Sequence, residues 1–120
     1  MLDDPTMDAV FQALGNRSRR RMLDIVKDRP GIAVGKLAGQ FDVSRIAVMK
    51  HLAVLEEANL IVSEKDGRVR RLYFNAVPIQ MIHERWTTEY SAYWAGQLTR
   101  IKYIAESRNR DNEKGGEQRK

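Results

Sequence analysis

One stretch constrains this chain more than any other: Val43-Ser44-Arg45-Ile46-Ala47-Val48-Met49-Lys50-His51-Leu52-Ala53-Val54-Leu55. Val48, Leu52 and Leu55 recur at i, i+4 and i+7, so a helix through them carries one buried stripe. Arg45, Met49 and Lys50 fall away from that stripe and give the helix a basic outer edge. Ser44 supplies an N-cap, with its hydroxyl placed to hold a backbone N–H of the first turn. A short helix over roughly 34–41 precedes it, with Leu37, Ala38 and Phe41 inward and Asp42-Val43 as the turn. Such a pair, its second helix buried on one side and basic on the other, is a helix-turn-helix unit shaped for the DNA major groove.

The flanking segments extend this unit into a domain. Asp4-Pro5 reads as N-cap and N1 of a first helix, with Met7, Val10, Phe11 and Leu14 on its apolar face and Gly15 as a left-handed C-terminal residue. A second helix begins near Asn16–Ser18, turns Met22, Leu23 and Val26 inward and ends before Pro30-Gly31. The basic helix itself runs from Ser44 to about Ala58, where Asn59 can take the left-handed stop. The period then changes. Residues 60–64 and 69–75 read as strands around Lys65-Asp66-Gly67-Arg68, centred on the hairpin-forming Asp-Gly pair. A hairpin after a helix-turn-helix is a wing, here with Lys65, Arg68, Arg70 and Arg71 about its tip.

Pro78 opens a long final helix predicted to reach about Ala105. Its stripe (Ile79, Ile82, Trp86, Tyr90, Tyr93, Trp94, Leu98, Ile101 and Ile104) is too rich for the small core of one protomer. It is expected to bury Ile82, Trp86, Tyr90, Tyr93, Trp94, Leu98 and Ile101 against a second copy, helped by Phe11 of the first helix. Residues 106–120 contain no apolar run, have mixed charge and include Gly115-Gly116, a pattern expected of a disordered tail. The expected architecture is mostly α with a small β-hairpin. It is a winged helix-turn-helix of five helices over residues 1–105, dimeric through its terminal helices.

Composition narrows the function. Lys and Arg outnumber Asp and Glu by 21 to 16, for a net charge of +5. That favours a polyanionic partner, with simple solubilising charge as the plain alternative. There are no cysteines, which excludes disulfides, thiol redox sensing and thiolate metal sites. No apolar run approaches the roughly 18 residues of a membrane span, and the acidic N-terminus lacks the pattern of a signal peptide, so a cytoplasmic chain with no membrane partner is expected. With two histidines, no Gly-rich phosphate loop and no Ser-His-acid set, neither catalysis nor a cofactor is expected.

The candidate DNA-contacting residues follow from position. Ser44, Arg45, Met49 and Lys50 are expected to face bases, Arg45 donating two hydrogen bonds to guanine. For Lys50 the alternative is a phosphate contact alone. Met49 and Ile46 either touch thymine methyls or pack on the preceding helix, and packing is the expectation for Ile46. Arg17, Arg19, Arg20 and Arg21 place four cations at a helix N-terminus, against the macrodipole. A compensating anion is expected, either DNA phosphate or acids such as Asp24. The predicted phosphate contacts are Arg17, Arg19, Lys65, Arg68, Arg70 and Arg71.

Three segments together resemble the arsenical-repressor (ArsR/SmtB) family of bacterial winged-helix repressors. They are Phe11-Gln12-Ala13-Leu14-Gly15-Asn16-Arg17-Ser18-Arg19-Arg20-Arg21-Met22-Leu23, the Val43–Leu52 run, and Val54-Leu55-Glu56-Glu57-Ala58-Asn59-Leu60-Ile61. The Gly67-Arg68 wing and the Tyr90, Tyr93-Trp94, Leu98 pattern extend the resemblance over about residues 7 to 105. It implies a homodimer that represses transcription from a palindromic operator and is released by a signal. It also implies that His51 packs or hydrogen-bonds within the helix-turn-helix.

The departures are informative. Metal-sensing members carry Cys-Val-Cys at the start of the third helix, where this chain has Ala33-Val34-Gly35. Others pair Asp, His and Glu ligands across the last helix, where this chain has a single histidine, His83, with Glu84 and Glu89. Zinc needs about four converging ligands, so no metal is expected. Relatives usually carry polar residues at the Arg45 and Met49 positions, so their operators do not transfer. The metal-free branch with an aromatic last helix resembles regulators encoded beside small lipid-binding-type proteins. That leaves an organic ligand in an aromatic pocket of the last helix, a protein effector or plain autorepression as the signal. A winged-helix module for protein interaction is the alternative from another class.

Overall fold

The computed structural model describes residues 2–87 and 93–118. The chain divides into two compact units, Met1–His83 and Glu84–Lys120.

In the first unit, α1 (Asp4–Leu14) and α2 (Arg17–Asp28) are followed by the short strand β1 (Ile32–Ala33) and the short helix α3 (Val34–Ala38). Next come α4 (Arg45–Glu57), the hairpin strands β2 (Ile61–Asp66) and β3 (Val69–Phe74), and the start of α5 (Val77–Thr87). Side chains cap the helices where the sequence provides short polar ones. Asp3, one residue earlier than expected, accepts the Thr6 N–H at 2.8 Å, which puts Pro5 at N2 where its missing N–H costs no bond. Asn16 accepts the Arg19 N–H at 3.1 Å, and Ser44 accepts the Ala47 N–H at 3.1 Å. Asn59 ends α4 with φ of 59°, the left-handed stop its position suggests. Gly15 is different. Its φ of −76° is ordinary, and its N–H closes back on the Gln12 carbonyl at 3.2 Å. Helix α3 stops at Ala38, so Phe41 lies beyond it, with its ring under the Arg21 guanidinium at 4.9 Å.

The sheet has three antiparallel strands in the order β1-β3-β2, one more than the expected hairpin. Ile32 and Ala33 pair with Leu72 and Arg71, which ties the start of α3 to the wing. A two-residue strand is too short to show a period, so only tertiary pairing reveals it. The core lies under the sheet and between the helices. Val10, Met22, Val26, Leu37, Val48, Leu52, Leu55, Leu60, Ile61 and Leu72 are essentially sealed from solvent, and among the described residues no polar or charged side chain is buried. Each fully buried aliphatic or methionine side chain contributes about 1.5–3 kcal/mol. The stripe read for α4 is the one buried here.

Ile79 and Ile82 of α5 rest half-buried on this same core. Ile82 is thus partly covered within its own protomer. The second unit contains α6 (Tyr93–Gln118). Where one final helix was predicted there are two, making six helices among the described residues rather than five; residues 88–92 lie outside the described residues. Helix α6 also runs through 106–118, the segment expected as a tail. Glu106, Arg108 and Arg110 are exposed there and sustain helix without burial, and Lys102 pairs with Glu106 at i,i+4 and 3.9 Å. Among the described residues no helix is long and apolar enough to cross a membrane.

Candidate nucleic-acid interface

Helical phase decides what α4 offers to solvent. Ile46 and Lys50 lie about 200° around the helix from Val48 and so point directly away from the core. Both are exposed, as are Ser44 and Arg45, and Ile46 is 71% exposed. The expectation that Ile46 packs on α3 is therefore corrected. Met49, only about 100° from Val48, is the residue that rests half-buried against the core. Ile46 is thus the apolar residue of the outer face, where its phase relative to Val48 puts it.

The wing adds a second basic element. Asp66 pairs with Val69, so the connecting turn is Gly67-Arg68 rather than Asp66-Gly67. Gly67 takes φ of +64° as the first turn residue, the requirement of a type II′ hairpin. This sets Arg68 at the apex, exposed, with Lys65 exposed on the adjacent strand. Arg45 and Met49 of α4, Val34 and Gly35 of α3, and Arg68 and Val69 of the wing together border a cleft of about 370 Å³.

Of the six predicted phosphate-contacting residues, three arginines are engaged inside the protein. Arg70 binds both carboxylate oxygens of Glu56 and so fastens β3 to the last turn of α4. Arg71 donates to Asp66 at 2.9 Å and to the Gly31 carbonyl at 3.0 Å. Arg19 donates from Nε to the Ala13 carbonyl and from Nη2 to the Gln12 carbonyl, both at 2.8 Å. Its Nη1 lies 3.2 Å from Nδ1 of His51, which accepts and thereby places His51 within the α2–α4 packing.

The arginine cluster at the start of α2 thus has a compensating negative partner other than DNA. The C-terminal carbonyls of α1, which lack i+4 partners in their own helix, receive Arg19 and, at Leu14, Arg20 at 2.7 Å. Arg21 bonds the Gln40 carbonyl at 3.3 Å and covers Phe41. Asp24 forms no ion pair among the described residues. Arg17 is exposed and makes no side-chain hydrogen bond among them. Arg17, Arg45, Lys50, Lys65 and Arg68 are the site cations left facing solvent.

Phe11 of the first unit is 49% exposed. In the second unit Trp86 is exposed, with the Arg85 guanidinium 5.3 Å from its ring, and Leu98, Ile101 and Ile104 are exposed along α6. Tyr90 lies outside the described residues, as do the side chains of Tyr93 and Trp94.

Comparison with known proteins decides the family. A helix-turn-helix domain model matches residues 14–64, from the end of α1 into β2. The HTH-type transcriptional regulator YuzN of Bacillus subtilis is 38% identical over 85 residues, covering 66% of this chain and 92% of that protein. The structure of an ArsR-like transcriptional regulator from Rhodococcus is 32% identical with a TM-score of 0.63, covering 86% of this chain and 93% of its own. This chain belongs to the ArsR family of helix-turn-helix transcriptional regulators. As an ArsR-family member it is a DNA-binding regulator and not an enzyme. The transcriptional repressor SdpR of Bacillus subtilis is a further relative, 28% identical over 74 residues, covering 62% of this chain and 81% of that protein. At the position of the family's Cys-Val-Cys, this ArsR-family protein has the β1–α3 junction Ala33-Val34-Gly35. Among its described residues no cluster of three or more His, Asp or Glu could hold a metal ion.

Proposed function

We propose that this protein is a cytoplasmic homodimeric repressor that places α4 in the major groove of a palindromic operator without metal control. The observation that carries the reading is the outer face of α4. Arg45 and Lys50 are exposed there beside Ile46, and Arg68 stands at the apex of the adjoining wing. In this reading Arg45 donates to guanine, Ile46 meets a thymine methyl, and Lys50 reaches a base edge or the adjacent phosphate. Ser44 lies at the base-facing end of α4, where its hydroxyl is already engaged as N-cap. Arg17, Lys65 and Arg68 contact phosphates. Trp86, Leu98 and Ile101 of the second unit meet the second copy, as does Phe11 of the first unit separately, and the first unit carries the DNA contacts. The repressor role is supported by the relationship to SdpR.

Three phosphate contacts per protomer make six per dimer, for a slope of log affinity against log salt of about −5 and a thousandfold loss between about 50 and 200 mM. The test is fluorescence anisotropy on duplex DNA from the chain's own upstream region, against scrambled DNA, across a salt series. Arg45→Ala should relax sequence preference, while Arg68→Ala should weaken all duplexes about equally. Parallel loss of specific and non-specific binding in both variants would refute the assignment of α4. Weak, salt-insensitive binding to both duplexes would instead favour a protein-interaction module.

A further inference from the structure

We infer that the cleft between α4 and the wing binds a small amphiphilic carboxylate that releases the protein from DNA. The release step rests on the DNA-facing assignment made above. The cleft joins two chemistries. Its rims carry the exposed guanidiniums of Arg45 and Arg68, neither of which hydrogen-bonds to another described side chain. The rest of its lining is apolar, from Ala33, Val34, Met49 and Val69, apart from Arg70, which is already held by Glu56. A phosphodiester would meet the two free arginines and leave that apolar lining bare. A carboxylate on an aromatic or aliphatic body meets both, since guanidinium receives carboxylate through two parallel hydrogen bonds and the flexible thioether of Met49 adapts to the body.

The walls are held before any ligand arrives. The Arg70–Glu56 pair fastens β3 to the end of α4, and the β1–β3 pairing holds the start of α3 against the wing. At about 370 Å³ the cleft is within the range of small-molecule sites. Gly35 is exposed at the α3 edge of the cleft and a Cβ built on it would meet nothing within 4 Å, so a larger side chain fits there without strain in the fold. Because the same two arginines serve DNA, occupancy by ligand and by DNA oppose each other, each lowering affinity for the other by the same factor.

The test uses the full chain with 13C-methyl-labelled methionine, which gives five methyl reporters. The probe is 2-naphthoate, with neutral 2-naphthylmethanol beside it. The expected result is a saturable shift of the Met49 methyl by 2-naphthoate, at least tenfold weaker with the alcohol. Arg45→Gln and Arg68→Gln should each weaken it about tenfold, and Gly35→Leu, which crowds the α3 edge of the cleft, should abolish it. The methyls of buried Met7 and Met22 report that each variant is folded. In a second arm, 2-naphthoate should displace a labelled duplex from the wild type and fail to do so from Gly35→Leu. An unmoved Met49 methyl at millimolar 2-naphthoate, an equal response to the alcohol, or saturation of Met49 without displacement of bound DNA overturns the inference. If Met49 shifts in the expected pattern while the protein binds no duplex, the carboxylate site stands and the DNA reading falls.

Discussion

Arg19 separates a charge that holds the fold from a charge that holds DNA. Its guanidinium ties two C-terminal carbonyls of α1 to the start of α2 and reaches His51 on α4. Replacing it by Met keeps most of the apolar stem and removes all three contacts. A hydrogen bond with one charged partner contributes about 1.5–3 kcal/mol when well shielded. Arg19 is half-exposed, so water recovers part of each, leaving about 2 kcal/mol for the two carbonyl bonds and roughly 0.5 kcal/mol for His51. A loss of 2–3 kcal/mol is a large fraction of the roughly 5–15 kcal/mol available to a domain and lowers Tm by about 10–15 °C. Urea titration followed by far-UV circular dichroism measures the first quantity. Anisotropy on a duplex across a salt series, at a temperature where the variant is folded, measures whether a phosphate contact is lost. Arg19→Met should leave the salt slope unchanged. Arg17→Met should do the reverse, with stability within about 0.5 kcal/mol of wild type and a slope shallower by about 1.8 per dimer. Stability retained in Arg19→Met together with a shallower slope would show that the guanidinium leaves α1 to bind phosphate, and the intramolecular assignment would be wrong.

Three further outcomes follow from the same geometry. Gly67→Val places a β-branched residue at φ of +64° with open space around it. The cost is therefore backbone strain, about 1–3 kcal/mol, read as a lower urea midpoint and faster amide exchange across β2 and β3; an unchanged midpoint would mean the turn is not type II′. The Thr6 hydroxyl, then its backbone N–H, holds the Asp3 carboxyl below its ordinary value of 3.8. A depressed folded value means that the cap stabilises fully above about pH 4 and that this contribution is lost as pH falls through the folded value. Asp3→Asn should flatten that acid limb, whereas parallel acid limbs in the two proteins would dismiss the cap as its source. Ile101→Asp puts a charge on the exposed apolar stripe of α6 and should sediment as a monomer where the wild type sediments as the proposed dimer; a dimeric variant would remove the stripe from the interface.

Local periodicity was enough to read what local forces determine. Val48, Leu52 and Leu55 are buried because a helix repeats every 3.6 residues, and Asn59 stops α4 because its short polar side chain tolerates the left-handed region. Arg45, Lys50 and Arg68 were legible as exposed for the same reason, since phase and turn position place them without reference to the rest of the chain. The phase argument applied to Ile46 and Met49 as well, and weighing each against Val48 gives the order seen in the structure. Strand β1 escaped because its two residues are strand only through Leu72 and Arg71, some forty positions on.

The arginines mark the limit of such reading most clearly. Arg19 meets His51, Arg70 meets Glu56 and Arg71 meets the Gly31 carbonyl across separations of 32, 14 and 40 residues. A guanidinium has five donors on a long flexible stem, so its partner is set by what the fold brings within reach, not by its neighbours in sequence. Basic residues near a helix-turn-helix are therefore an upper bound on DNA contacts. Six candidate phosphate contacts per protomer correspond to a salt slope near −11 for a dimer, and the three that remain, Arg17, Lys65 and Arg68, to one near −5. The salt slope thus reads directly how many of these cations the fold has already engaged.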